Sequence, residues 1–161
     1  MTNRAFGSFL DFAVHMAEAA VAVRVAEHHA LDRAAAIIEK DAKARIGSYQ
    51  DAAGPFAAWA PLAESTVADR VAKGFTPDEP ELRTGQLRDS ISRQVEGLEA
   101  AVGSTSEVMV WQELGTEKMP PRAILGPAAF DNREKIEKAL GHAVLHALEY
   151  GAARNFVELP E

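Results

Sequence analysis

The 161-residue chain contains no cysteine. That excludes a disulfide scaffold, a thiolate zinc site, an iron–sulfur cluster and a thiol nucleophile. It also lacks any apolar run long enough to read as a membrane span. A surplus of basic charge is missing: 17 Lys and Arg face 24 Asp and Glu, a formal net charge of −7. A nucleic-acid footprint is therefore not its main theme. G-x-S-x-G, the P-loop and G-x-G-x-x-G are all absent, so the chain carries no common enzyme signature. Its start, MTNRAFGSFLDF, reaches an acid early. It has neither a long apolar core nor a small-residue cleavage site, and is read as no secretory leader.

What is present is a globular composition. The chain is 47% hydrophobic and 25% charged, and its length suits one domain, residues 1–161, that buries a core. The charge is uneven. Residues 1–46 carry six bases and six acids, whereas residues 47–110 carry five bases against ten acids. Asp78, Glu79 and Glu81 mark the acidic middle, which reads as a solvated loop or as a patch facing a basic partner. Alanine is dense at both ends, so both ends are expected to be helical.

The expected fold class is α+β: long helices at both ends of a small antiparallel sheet, with short helices between. Phe6, Phe9, Ala13, Met16, Ala20, Val23, Ala30, Ala34 and Ile37 recur at mostly helical steps, predicting a helix over 1–47, capped by Asn3 and stopped by Gly47. Unbroken, it would run about 60–65 Å. A helix of that length is expected to bend, near His28 and His29, to pack in part on another subunit, or simply to fold back on its own core. Residues 48–126 hold the short elements. Leu62–Lys73 reads as a helix closed by Gly74, and Thr84 as the cap of a third helical turn carrying Leu87 and Ile91. Gln94–Glu96 and Ala100–Val102 flank a tight turn at Gly97-Leu98-Glu99, which is a hairpin signal. Glu107–Leu114 reads as a helix stopped by Gly115, and Pro120-Pro121 forces an extended segment. Arg122–Leu125 is expected to add a third, edge strand. Residues 127–151 form the last helix, with Ile136, Leu140, Val144, Leu145 and Leu148 on its apolar face.

Chemistry-bearing clusters are sparse. His142, His146 and Glu149 fall on one side of the last helix, and two His with a carboxylate is a set that can hold a divalent metal. The segment reads HAVLHALE, however, with no acid placed as a base, so a plain helix face is the simpler reading. His28 and His29 are adjacent and diverge around a helix. Trp59 and Trp111 read as core. No catalytic group, cofactor or metal is expected. The second half looks instead like a rigid presenting surface, in which Arg122 on the stiff proline segment can clamp a carboxylate, with Glu113 the nearest candidate.

One ordered set of residues carries a resemblance. Leu82, Thr84-Gly85-x-Leu87-x-x-Ser90-Ile91, Val102-Gly103-Ser104, Glu113-x-Gly115-Thr116 and Pro121-Arg122-x-x-Leu125-x-Pro127-Ala128 follow one another, preceded by Trp59-x-Pro61-Leu62-x-x-x-Thr66. This pattern resembles the small virion morphogenesis and tail-completion proteins of tailed bacteriophages, including the HK97 gp10-like neck proteins. Two stretches depart from it: Met109-Val110 stand where the family often has Tyr-Ala, and residues 123–126 lack its usual aromatic. The resemblance implies a non-catalytic structural protein of the virion head–tail junction, made in the host cytoplasm. Its implied partners are other copies of itself in a ring, a portal-side adaptor or stopper, and tail terminator or tube proteins. DNA would at most pass through the channel, and no membrane is involved. On this reading the interface residues are Trp59, Leu62, Asp78, Glu79, Glu81, Glu113, Leu114, Arg122 and Ile124. The alternative is a non-phage oligomeric adaptor of similar fold.

Overall fold

The computed structural model of the chain describes residues 7–150, and of these the backbone alone at 144 and 146–150. The fold is α+β. Its longest element is α1, Phe9–Arg45, a helix of 37 residues and about 55 Å. Ser8 caps it: the Ser8 hydroxyl accepts from the Asp11 backbone N–H at 3.1 Å. Asp11 in the first turn and Lys43 and Arg45 in the last complement the helix dipole. Asn3, the expected cap, lies outside the described residues. The helix runs without interruption through His28 and His29.

After α1 come α2 (Glu64–Ala72), α3 (Gln86–Asp89), β1 (Ile91–Glu96), β2 (Glu99–Ser104), α4 (Glu107–Leu114), α5 (Leu125–Asp131) and α6 (Arg133–Tyr150). The strands pair antiparallel across a two-residue turn at Gly97-Leu98, with Ile91 opposite Ser104 and Glu96 opposite Glu99. Strand periodicity turns Ile91, Arg93 and Val95 to one face. That face meets α1. Ile91 enters the core, and Arg93 donates to Asp32 at 2.8 Å and to Glu39 at 2.6 Å. The hairpin is thus clasped to the middle of the long helix.

The core joins Ala42, Ile46, Trp59, Ile91, Met109, Ile124 and Ala128, flanked by Ile38, Leu82, Leu87, Val102 and Leu125. Burying each large aliphatic member contributes about 1.5–3 kcal/mol. Five alanines of α1, Ala22, Ala30, Ala34, Ala35 and Ala42, are buried and let neighbouring elements come close.

Three expectations are corrected here. Residues 122–125 form no strand: the Arg122 N–H donates to the Gln112 carbonyl at 2.7 Å, a single loop contact, and the chain then enters α5. The sheet has two strands. The last helix is broken in two at Asn132, which is buried and turns its side-chain amide back to the Ala128 carbonyl at 2.9 Å. Gly85, in the left-handed region at φ 84°, takes the cap position of α3 in place of Thr84.

Candidate functional site

Several residues that carry the resemblance, Trp59, Pro61, Glu113, Gly115, Pro121, Arg122 and Leu125, meet around α4, the proline loop and the start of α5. Glu113, near the end of α4, turns its carboxylate onto three successive backbone N–H groups. Ile124 and Leu125 donate to Oε2 at 2.8 and 3.0 Å, and Gly126 donates to Oε1 at 2.7 Å. These are donors at the start of α5 that no helical carbonyl can satisfy, and a carboxylate there is a charge-assisted cap. A Cβ at Gly126 would sit 2.5 Å from the Phe56 ring, so a larger residue there would need that ring to move aside.

Gly115 ends α4 with φ 73°. A Cβ there would come within 2.9 Å of the Met119 carbonyl and the Pro121 nitrogen. Thr116 and Met119 then pair their backbones at 2.8 and 3.2 Å, closing a tight loop ahead of Pro120-Pro121. The loop is therefore held by its own turn, by Glu113 and by the proline pair.

Arg122 does not clamp Glu113. Its buried guanidinium donates to the Ala60 carbonyl at 3.1 and 3.2 Å, to the Pro61 carbonyl at 3.2 Å and to Glu81 at 3.5 Å. Arg122 thus ties the proline loop to the segment before α2. Arg70, also buried, does the same for the acidic loop, donating to the carbonyls of Thr76 and Leu82 at 3.0 Å each. Glu81 lies inward between these arginines. Burial raises its carboxyl pKa above the ordinary value, and the attraction of Arg122 and Arg70 only partly offsets this. Glu81 is therefore an interior acid. Asp78, by contrast, is exposed and accepts from the Tyr49 hydroxyl, and Glu79 is half-buried.

The expected interface residues separate by burial. Trp59 is core: its indole N–H donates to the Ala123 carbonyl at 3.0 Å. Ile124 is fully buried. Trp59, Ile124, Glu81 and Arg122 support the surface from beneath. Leu62 is half-buried, and its N–H donates to the Tyr49 hydroxyl at 3.1 Å. Leu114 is 75% exposed and Trp111, expected in the core, is 50% exposed. With Val108 and Val110, also exposed, they leave α4 apolar on its outer side. Beside it lies an open cleft of about 690 Å³ between α2, the segment 81–87 and the proline loop. Gln112 is among the residues that line that cleft, and its side-chain carbonyl is buried without a hydrogen-bond partner.

Sequence reasoning missed Trp111 and Gln112. The helical period of α4 is the one signal available for them: Met109 is buried, Trp111 two positions later turns away from it, and Gln112 three positions later shares its side. His142 is exposed, whereas the side chains of His146 and Glu149 lie outside the described residues. Among the described residues, no group of three His, Asp or Glu is placed to hold a metal ion. No helix there is long and apolar enough to cross a membrane. No protein-family model, curated protein or solved structure matches the chain.

Proposed function

We propose that this chain is a structural protein of a tailed-phage virion, acting at the head–tail junction in tail completion or as a neck component. One observation carries the reading. The dispersed residues of the resemblance, from Trp59 through Glu113, Gly115 and Arg122 to Ala128, belong to one braced unit, and that unit holds Trp111 and Leu114 out to solvent. Large apolar side chains on a rigid support are suited to protein–protein contact. The reading assigns the chain no catalysis. Its partners would be further copies of itself in a ring, a portal-side adaptor or stopper, and tail terminator or tube proteins, with DNA only passing through.

The test is an amber stop at Trp59 in the source phage, grown on a non-suppressing host, with the lysate imaged by negative stain. Filled heads separate from tails of finished length are the expected result. Joined, infectious particles would overturn the proposal and favour the non-phage adaptor. Complementation with Leu114→Asp should then fail to restore joining while the variant stays folded, because Leu114 makes little of the core.

A further inference from the structure

The first five turns of α1 are apolar almost all round. Across residues 9–26 only Asp11, His15, Glu18 and Arg24 are polar. A helix of this kind is ordinarily buried, yet Phe9, Leu10, Val14, Met16, Val21 and Val25 are between 38% and 84% exposed. Val14, Ala17, Glu18, Val21, Ala22 and Val25 line a shallow groove of about 460 Å³ along this stretch.

Three features say what covers it. The first is continuity. Val14, Val21, His28, Ala35 and Ala42 follow one another at seven-residue steps, along one side of the helix. Farther along, that side is occupied: Ala35 and Ala42 are buried, and neighbouring Asp32 and Glu39 hold the hairpin through Arg93. The bare stretch therefore extends a face that already receives packing. The second is area. At roughly 150–200 Å² for a fully exposed large side chain, the exposed residues on that one side, Leu10, Val14, Val21 and Val25, offer about 330–450 Å², about half of each partner's share of a standard interface. The third is charge. The acidic excess lies beyond residue 46, whereas residues 1–46 balance six bases against six acids. Like copies repel least here, and Ala13, Ala17 and Ala20 allow close approach of a second helix. A membrane-surface helix would instead carry a basic polar face opposite its apolar one.

We propose that Phe9–Ala26 of α1 is a self-association element, packing against the same segment of a second copy of this chain. The inference does not depend on the virion reading, because it concerns the purified chain alone.

The test is light scattering coupled to size exclusion, on the full chain and on Val14→Glu/Val21→Glu. Glutamate keeps helix propensity high, and neither position contributes to the core. The wild type is expected to be oligomeric at micromolar concentration. The variant should be monomeric, its dissociation constant raised at least about 100-fold, with unchanged helical circular dichroism. The absence of native cysteine provides a second readout: Ala17→Cys should give a disulfide-linked dimer on mild oxidation, and Glu99→Cys at the hairpin should not. A monomeric wild type, an oligomer indifferent to the Val14/Val21 changes, or equal cross-linking at both positions would overturn the proposal. So would a monomer that binds vesicles of anionic phospholipid through the same two valines.

Discussion

Glu81 and Arg122 meet at 3.5 Å with both side chains buried, and the pair is lopsided. Arg122 has three further contacts to carbonyl oxygens, whereas Glu81 is compensated chiefly by charge at a distance. Arg122→Ala leaves a buried carboxylate and unpaired carbonyls, so it should cost about 3–5 kcal/mol in a urea melt. The sequence reading places Arg122 at an interface; its buried contacts give it a part in the fold as well. Glu81→Gln should behave differently. The raised pKa means the folded state binds the Glu81 proton more tightly, so the associated stability is present below the ordinary Glu value and is lost as pH rises through the folded one. The melting temperature of Glu81→Gln relative to wild type should therefore rise between pH 4 and pH 7, and a difference constant with pH would refute it. The acids at 78–81 were legible as a charge cluster, but their directions were not. Pro80 is buried and its carbonyl accepts from the Gly47 N–H at 2.9 Å, which anchors the loop to the end of α1; Glu81 then adopts φ 63° and turns inward. Nothing in a run of like charges reports such a turn.

At the scale of elements, local signals served well where structure is locally decided. α4 spans the expected residues up to its glycine stop, Glu107–Leu114, and the hairpin centres on Gly97-Leu98. They failed where a distant group decides. The start of α5 depends on the Glu113 carboxylate, 11 to 13 residues upstream, so Arg122–Leu125 looked free to extend as a strand. The break at Asn132 depends on its burial against Ala128, which no propensity reveals. Glu113→Ala removes the acceptor for three N–H groups and should cost about 2–4 kcal/mol, with Glu113→Gln recovering part of it. Gly115→Ala should destabilise by at least about 1 kcal/mol, since both its φ and its close backbone neighbours reject a Cβ. Both are read from denaturant midpoints. If Glu113→Ala melts like wild type, the cap is not what sets α5.

Across the whole molecule, carboxylates paired with bases pull the other way from Glu81. Hydrogen bonds to Arg93 hold Asp32 below the ordinary carboxylate range, those to Lys43 and Arg93 do so for Glu39, and those to Lys73 and Arg83 do so for Asp69. Their contributions are present above the ordinary values of 3.8 to 4.5 and vanish as pH falls through the lowered ones. Acid should therefore loosen the hairpin from α1. Arg93→Ala should flatten the acid limb of a melting-temperature profile, a change absent from Arg88→Ala, whose pair with Asp89 joins sequence neighbours. The long-range plan, α1 lying against β1, β2, α5 and α6, was not written in any local pattern; only the length of the helix hinted at it. The core has one further consequence. Ala42 and Ile46 are made early in synthesis, but Ile124 and Ala128, which complete their surroundings, are made some 80 residues later. At about 5–20 residues per second, α1 leaves the ribosome several seconds before its apolar flank can be covered. During that interval the nascent chain offers its longest apolar surface to chaperones, and to any neighbouring chain emerging from the same message.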